Sequence, residues 1–361
     1  MDKNTKRFIV ALYFFLRLPA IVLIRMLFCF DRRPGSQIGK ILVIRLDRIG
    51  DFVTSLPVID NLKAAYPNAG LDVLVRPYMR GLARLCNNID GVIEYRGFAR
   101  ASAHIRKARY DLVIDLLYDY KLLPALLAFL SAAPLRAGFA WGYRELFFNR
   151  AVRQKDLQGK NMIAVHLEIL KPLGIQAQVT VPRIRIDKKK PGGQLVLGIH
   201  PGGHFPSQCW HKDRFSAVAQ WAVERHHARV YVFAGPDEKE LVSYIVNAAN
   251  HKDVRAVFPD TEGLVRLISQ CDILLCNNSG PLHVATALEV PTVSTMGPTD
   301  PLLWMPQSPE AIAISKHLLC SPCGRAVCAG HACMDSITVE EVEKAVEVQI
   351  HRLRQKQRLF T

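Results

Sequence analysis

A lone carboxylate follows a short apolar run near the start of the chain. The run KILVIRL, residues 40–46, leads into the loop DRIGD, in which Gly50 precedes Asp51. Asp51 stands where a helix should begin, so its carboxylate could cap that helix by accepting backbone N–H groups. It could equally take the proton of an acceptor hydroxyl as a general base, because the carboxyl ends of parallel strands face a ligand crevice. The loop matches neither G-x-G-x-x-G nor a P-loop, and spacing alone leaves both roles open.

Two loops in the second half of the chain have compositions suited to phosphate. The segment HPGGHFPSQCW contains Gly202 and Gly203, which lack side chains and let the backbone approach a phosphate closely. In the segment NNSGPLHVATAL, Ser279 could cap a helix, and the Gly280 N–H could face a diphosphate at the positive helix end. An ordinary loop is the alternative for the first segment. A buried core histidine is the alternative for His283 in the second.

Four cysteines cluster near the C-terminus with the spacing Cys320-x2-Cys323-x4-Cys328-x4-Cys333. Four thiolates can hold zinc tetrahedrally, but this spacing is tighter than that of a usual zinc ribbon. Disulfides and free structural thiols are the alternatives. The nine cysteines of the chain are odd in number and the others are scattered, which favours a reducing compartment. For the cluster the three alternatives stay open, and no residue is assigned as a metal ligand.

Apolar runs alternate with helical segments from residue 40 onward. Strands are predicted at residues 40–46, 71–75, 91–95, 110–117, 195–200, 229–234, 272–276 and 292–296, and helices at 52–65, 213–227 and 339–360. This alternation is typical of doubly wound parallel sheets. The segment DKKKPGG, residues 187–193, divides the pattern into halves of similar size. We therefore divide the α/β chain into an N-terminal segment, residues 1–36, and two Rossmann-like domains, residues 37–188 and 189–361.

Length and composition fit this division. The 361 residues suit two domains, and 50% hydrophobic with 22% charged residues excludes a disordered chain, a collagen and a small disulfide scaffold. The net charge of +15 implies a polyanionic partner, which is nucleic acid, a phosphorylated ligand or an anionic membrane. Because no nucleic-acid-binding motif accompanies the charge, no nucleic-acid partner is predicted.

The N-terminal segment is apolar at residues 8–30 but is interrupted by Arg17, Pro19 and Arg25. Its apolar side chains favour insertion across a bilayer by roughly 7 kcal/mol, and the two arginines oppose it by about 6 kcal/mol. On a helix Lys6, Arg17 and Arg25 form one basic stripe. This pattern favours a helix lying in the cytoplasmic interface of an anionic membrane, with a true span and a packed helix as alternatives.

Four segments together resemble one known family. IRLDRIGDFVTSLPVIDNLKAAYP, HPGG, NNSGPLHVATAL and MGPTDP are similar, in order and spacing, to signatures of the bacterial heptosyltransferases of glycosyltransferase family 9. The resemblance runs from about residue 40 to 346. It implies a GT-B fold, in which two Rossmann-like domains enclose a cleft and the final helix packs back toward the first domain. It also implies inverting transfer, without a cofactor, from a nucleotide-activated heptose, usually ADP-heptose, to the lipopolysaccharide inner core.

The resemblance carries over to individual residues. Asp51 matches the family's proposed base, Glu238 an acidic residue that contacts the donor ribose, and Gly280 and His283 residues near the donor diphosphate. The predicted donor-binding residues are Gly202, Gly203, Lys212, Glu238, Asn278, Ser279, Gly280 and His283. Residues 37–188 would bind the acceptor and residues 189–361 the nucleotide sugar.

Two departures from the family pattern bear on donor identity. Gln208 stands where the family often has a lysine, and Asn278 where it often has an aspartate. Lys212 or Arg214 could supply the missing positive charge. The implied partners are a nucleotide-sugar donor, a lipid-linked anionic sugar acceptor and the cytoplasmic face of the inner membrane. The alternatives are transfer of another sugar from another nucleotide, and a nucleotide-sugar-binding protein without turnover.

Overall fold

The computed structural model describes residues 37–187 and 193–359, together with Pro19. These residues form two α/β domains, each built on a parallel sheet of six strands. Apart from Pro19, the predicted membrane-associating helix lies outside the described residues, as do residues 188–192 of the predicted linker. Among the helices that are described, none combines the length and the apolar character needed to cross a bilayer.

The first sheet has the strand order β3-β2-β1-β4-β5-β6. Its strands are β1 (Lys40–Arg45), β2 (Gly70–Val75), β3 (Gly91–Glu94), β4 (Leu112–Asp115), β5 (Leu135–Ala140) and β6 (Arg150–Arg153). The helices of this domain are α1 (Ile49–Thr54), α2 (Leu56–Ala65), α3 (Arg80–Arg84), α4 (Phe98–Ala108), α5 (Leu122–Leu130) and α6 (Met162–Leu167). Side chains of β1 alternate between two cores: Ile41 and Val43 pack on one face, and Leu42 and Ile44 on the other. Burial on both faces explains why β1 is a continuous apolar run.

The second sheet has the strand order β12-β11-β10-β7-β8-β9. Its strands are β7 (Val196–His200), β8 (Arg229–Phe233), β9 (Val254–Val257), β10 (Ile273–Asn277), β11 (Thr292–Met296) and β12 (Ala311–Ser315). The helices are α7 (Lys212–His226), α8 (Lys239–Ala249), α9 (Thr261–Gln270), α10 (Gly280–Ala287), α11 (Pro301–Trp304), α12 (Ala332–Asp335) and α13 (Val339–Leu359). The segment before β7 contacts the second domain, since the Ile184 N–H donates to the Ala287 carbonyl at the end of α10 at 2.8 Å.

The helix predicted over residues 52–65 is instead two helices. It begins earlier, at Ile49, and is interrupted at Ser55, whose N–H turns back to the Phe52 carbonyl at 3.1 Å. Pro57 accounts for the interruption, since it has no N–H to donate to Val53 and its ring would clash with that carbonyl. The separate helix α1 carries Asp51 in its first turn.

Eight strands match their predictions, whereas β5, β6, β9 and β12 were not predicted. Three of these are the edge strands β6, β9 and β12, which bury fewer side chains and therefore lack a continuous apolar run. Strand β5 contains Gly138, where an added Cβ would lie 2.2 Å from the Phe148 ring. This glycine makes room for an aromatic ring that the apolar pattern of β5 cannot reveal.

The closing helix α13 covers the second domain. The expectation that it packs back toward the first domain is wrong for its described residues. Gln349 donates to the carbonyls of Thr292 and Glu310 at 3.1 and 2.8 Å, and Lys356 pairs with Glu310 at 2.7 Å. These bonds satisfy backbone groups at the start of β11 and before β12. The apolar face of the helix also packs in the core of the second domain through Val342 and Val346.

Candidate functional site

The two domains meet where α1 and α10 approach each other. Each helix follows the central strand of its sheet, β1 or β10, so both begin at the carboxyl edge of a sheet. A Cβ added at Gly280 would lie 3.0 Å from the Ile49 Cβ and 3.3 Å from the Gly50 N atom, and one added at Gly50 would lie 3.0 Å from the His283 ring. The two glycines therefore permit a close approach between the domains.

Two adjoining cavities occupy the cleft on either side of this contact. The larger has a volume of about 910 Å³ and the smaller about 440 Å³. Arg48, His204, Ser279 and Gly280 line both of them. Because they share these residues, the two cavities are parts of one interdomain site, located where parallel α/β sheets bind ligands.

Asp51 lines the smaller cavity and is not the helix cap. Arg48 occupies the N-cap position of α1, and Asp51 is the third helical residue. The His283 ring lines the same cavity, 6.0 Å from the ring of Trp304 between centroids. Burial lowers the pKa of His283 to about 4, against the opposing effect of the nearby Asp51 carboxylate. A neutral imidazole and a carboxylate thus face the same space.

A buried arginine holds the backbone around Asp51. Arg45, at the end of β1, is 1% exposed and donates through Nε to the Asp51 carbonyl at 3.1 Å. Its Nη2 lies 2.8 Å from His166 Nε2. Burial and the Arg45 charge hold the pKa of His166 well below its usual value, so this histidine is neutral and can accept a hydrogen bond from the guanidinium. The first turn of α1 is therefore fixed by a charged group beneath it.

A second carboxylate lies close behind Asp51. Asp47 pairs with Arg45 at 3.1 Å, while its Oδ1 is buried without a hydrogen-bond partner among the described residues. Burial raises the pKa of Asp47 to about 7, although the Arg45 charge opposes the shift. Its carboxyl group therefore gains a proton near neutral pH.

The HPGG loop lies beside Glu238 in the larger cavity. Gly203 and Glu238 both line this cavity, and the Glu238 carboxylate accepts the Gly235 N–H at 3.2 Å. Burial raises the pKa of Glu238, against hydrogen bonds from the backbone of Gly235 and Gly203. Gly202 lies behind the carboxylate: an added Cβ would be 2.0 Å from Glu238 Oε1. Of the two predicted glycines, Gly203 lines the cavity and Gly202 makes room for Glu238.

The segment before α10 crosses both cavities. Asn278, Ser279, Gly280 and His283 line the smaller cavity, and Ser279 and Gly280 also line the larger. His283 is only 7% exposed, so it is buried, as expected for a core histidine. It nevertheless lines the smaller cavity. The neighbouring Asn277 fixes the two loops to each other, because its amide donates to the Pro201 carbonyl at 2.7 Å and its oxygen accepts the Trp210 N–H at 2.9 Å.

The two candidate replacements for the missing lysine are engaged elsewhere. The Lys212 ammonium lies 3.7 Å from the centroid of the Tyr244 ring, and Lys212 is not among the described residues that line either cavity. Arg214 donates to the Asp335 carbonyl at 2.8 Å. Gln208 does line the smaller cavity, where its amide donates to Thr299 Oγ1 at 3.2 Å.

Sequence reasoning missed three features of the cavity walls. Arg48 and Trp304 line the cleft. The sequence could have indicated them, because Arg48 lies within the family-like motif IRLDRIGD and Trp304 follows shortly after MGPTDP. The cysteine-rich loop also contributes, since Pro322 and Gly324 line the smaller cavity. Its four cysteines are free thiols, and no group of three His, Cys, Asp or Glu side chains in the described part of the chain is arranged to hold a metal ion.

Comparison with known proteins identifies the family. A family model described as glycosyltransferase family 9 (heptosyltransferase) matches residues 98–333, which is more than half of the 361 residues. The chain belongs to glycosyltransferase family 9. It is therefore a glycosyltransferase. The matched range includes the HPGG and NNSGPLH segments but begins after Asp51.

Individual family members are similar over most of their length. Lipopolysaccharide heptosyltransferase 3 of Escherichia coli is 29% identical over 297 residues, covering 73% of this chain and 85% of that protein. Lipopolysaccharide heptosyltransferase 2 of Salmonella typhimurium is 27% identical over 307 residues, covering 76% and 87%. The solved structure of the Escherichia coli ADP-heptose lps heptosyltransferase II matches with a TM-score of 0.76 at 21% identity, covering 87% of this chain and 99% of that one. The GT-B fold of this glycosyltransferase is thereby confirmed.

Proposed function

We propose that this glycosyltransferase moves a heptose from ADP-heptose to a lipopolysaccharide-core or other anionic glycolipid acceptor. The observation that carries the proposal is the position of Asp51, whose side chain lines the cleft that also holds Glu238, Gly280 and His283. The sugar and the acceptor class are supported by the names of the similar lipopolysaccharide heptosyltransferases and by the ADP-heptose named for the similar structure.

Asp51 acts as the general base of a single displacement. The acceptor hydroxyl oxygen forms a bond to the anomeric carbon on the face opposite the leaving group, so the configuration inverts. The bond between that carbon and the diphosphate oxygen breaks, and its electron pair leaves with the nucleoside diphosphate. The hydroxyl proton passes to the Asp51 carboxylate. The donation from Arg45 to the Asp51 carbonyl keeps the backbone of that base in place.

The donor lies across the two cavities. Glu238 accepts hydrogen bonds from the ribose hydroxyls in the larger cavity, and the backbone of Gly203 lies alongside. The first N–H groups of α10, beginning at Gly280, face the diphosphate. The sugar occupies the smaller cavity between Asp51 and His283. Since His283 is neutral, it can donate one ring N–H without adding a charge to the site.

The acceptor approaches from the first domain at a membrane surface. Residues 1–36 carry the predicted basic and apolar helix, and the net charge of +15 favours an anionic surface. In this proposal the protein works at the cytoplasmic face of the inner membrane, with residues 8–30 lying in the interface. The acceptor is then a lipid-linked sugar whose anionic groups face the basic protein.

The decisive experiment offers the purified protein a panel of nucleotide sugars together with a truncated core glycolipid. A mass increase of the lipid by one heptose, with ADP-heptose alone among the donors, is the expected result. Transfer of a different sugar would replace the proposed donor. If no donor yields a product, while a known family member does modify the same glycolipid, catalysis on this acceptor is contradicted.

A second candidate function is transfer of a different sugar. It is favoured by the uncharged amides of Gln208 and Asn278 in the smaller cavity, at positions where the family often has lysine and aspartate. An amide can both donate and accept a hydrogen bond, whereas lysine only donates and an ionised carboxylate only accepts. The same donor panel distinguishes this candidate, because it would yield a product of another mass.

A further inference from the structure

The cleft needs a cation that the sequence analysis did not locate. A nucleoside diphosphate sugar carries two negative charges, and the departing nucleoside diphosphate gains a third when the bond to the sugar breaks. A positive group near the terminal phosphate would therefore be worth more at the transition state than before it. Lys212 and Arg214 lie against Tyr244 and the Asp335 carbonyl, so neither supplies this charge in the structure.

Arg48 is placed to supply it. Among the described residues, Arg48 is the only Lys or Arg that lines both cavities. Its guanidinium lies 5.8 Å from the centroid of the Phe205 ring, in the loop that follows Gly203. The next residue, Ile49, is the one that approaches Gly280 at the start of α10. The charge therefore sits beside the helix end that faces the diphosphate.

The Arg48 side chain is also available. It is exposed, and its guanidinium forms no ion pair or hydrogen bond with other described residues. Arg80, which lines the larger cavity, is paired with Glu94 at 2.9 Å. Arg84 lines the larger cavity only and belongs to α3, a helix that packs against α9 rather than α10. Arg48 is the remaining cation at the junction of the cavities.

We propose that Arg48, from the first domain, binds the diphosphate of the donor held by the second domain. This inference rests on the proposed function and deepens it. As the anomeric carbon bonds to the acceptor oxygen, the electron pair of the breaking bond moves to the terminal phosphate oxygen, and the Arg48 guanidinium offsets the new charge. The arginine and Asp51 lie in the same loop and helix turn, so the domain that positions the base also completes the leaving-group site.

Calorimetric titration with ADP and with adenosine tests the assignment. Replacing Arg48 by Gln should weaken ADP binding by about 10- to 100-fold, the range expected for lost hydrogen bonds to a charged group. Adenosine binding should change less than about twofold, because adenosine has no phosphate. Arg48→Lys should retain part of the ADP affinity, and the salt dependence of ADP binding should be smaller in the Gln variant than in the parent.

The matched control is Arg106→Gln, which removes an exposed arginine of the first domain on α4, away from both cavities. It should bind ADP like the parent. If Arg48→Gln keeps the parent's ratio of ADP to adenosine affinity while remaining folded by circular dichroism, the inference is overturned and the proposed function stands. If the parent itself shows no preference for ADP, UDP, GDP, CDP or dTDP over their nucleosides, both are overturned.

Discussion

Asp47 and Asp51 lie one helical turn apart in sequence and occupy different environments. Asp47 is buried against Arg45, with one oxygen unpaired among the described residues, whereas Asp51 lines the cavity beside His283. A protonated Asp47 leaves less negative charge behind Asp51. The sequence shows both carboxylates but not which of them faces the cleft, since that depends on where α1 begins.

Asp51→Asn is expected to reduce kcat by about 10²- to 10⁴-fold, the usual contribution of a general base. The amide keeps the size and a hydrogen-bonding oxygen of the side chain but cannot take the proton. Donor affinity and thermal stability should remain close to those of the parent. Turnover measured with an established acceptor checks this, and a rate near that of the parent would remove Asp51 from the mechanism.

Asp47→Asn is expected to change how stability depends on pH. The pKa of Asp47 is raised from 3.8 to about 7 in the fold, so its stabilising contribution is present below about pH 4. That contribution is lost as the pH rises toward 7, because the unfolded chain releases the proton more readily. Urea unfolding between pH 4.5 and 8 should show the parent losing free energy of unfolding relative to the Asn variant.

Asp90→Asn serves as a control, because Asp90 should change the free energy of unfolding with pH in the opposite direction. Hydrogen bonds from the Leu71 N–H and Lys63 lower the pKa of Asp90, so its contribution is present above the ordinary pKa and lost in acid. The parent should therefore lose stability relative to this variant as the pH falls below about 4. Parallel pH profiles for the parent and Asp47→Asn would contradict the raised pKa of Asp47.

At the scale of elements, the site depends on two short helices that touch across the cleft. α1 and α10 follow the two central strands and meet at Gly50 and Gly280, where little space remains for a side chain. Their approach fixes the distance between the proposed base on one domain and the proposed donor site on the other. It also explains why small residues occur at the start of both helices.

Gly280→Ala is expected to lower kcat/KM by about tenfold. The added Cβ would lie 3.0 Å from Ile49 and 3.3 Å from the Gly50 backbone, so the helices must separate by a few tenths of an ångström. Overpacking of this kind costs about 1–3 kcal/mol, and about 1.4 kcal/mol corresponds to tenfold. Gly70→Ala is the control, because its Cβ would meet only the Gly39 carbonyl at 4.0 Å. Equal kinetics for the two variants would contradict the tight contact.

The elements differ in how well the sequence predicts them. Strands such as β1 and β10 are buried on both faces and show as apolar runs, and seven of the eight located strands lie in the interior of their sheets. The edge strands β6, β9 and β12 do not show this pattern, whereas the edge strand β3 was located. The loops that line the cavities in the second domain were singled out from glycine and asparagine motifs. The position of Arg48 across the cleft was not predicted. It depends on how the two domains pack against each other, and the residues that meet there are far apart in sequence.

At the scale of the whole molecule, two similar parallel sheets meet at their carboxyl edges. The Lys-rich segment DKKKPGG lies in sequence between β6 and β7, and residues 188–192 within it are not described. Neither length nor composition could predict that the closing helix covers the second domain. In that placement Val342, Val346 and Ile350 pack in the core of the second domain, and Gln349 satisfies backbone carbonyls beside two strands.

Removing residues 1–33 is expected to leave a folded protein that binds anionic vesicles more weakly. The first strand begins at Lys40, so the truncation spares both sheets, while it removes Lys6, Arg17 and Arg25, the residues of the predicted basic stripe. Sedimentation with vesicles containing anionic lipid measures the loss, and neutral vesicles serve as the reference. Equal binding by the full and truncated chains would contradict the interfacial anchor.

The contact between Gly202 and Glu238 restricts how this molecule could change its nucleotide preference by mutation. A side chain at position 202 would fall 2.0 Å from Glu238 Oε1, so the Glu238 side chain would have to move away from the Gly235 N–H that it now accepts. A substitution of Gly202 therefore acts on donor binding through Glu238, because the displaced carboxylate leaves the place of the proposed ribose contact. A lineage that replaces Gly202 would pass through a chain with weakened donor binding.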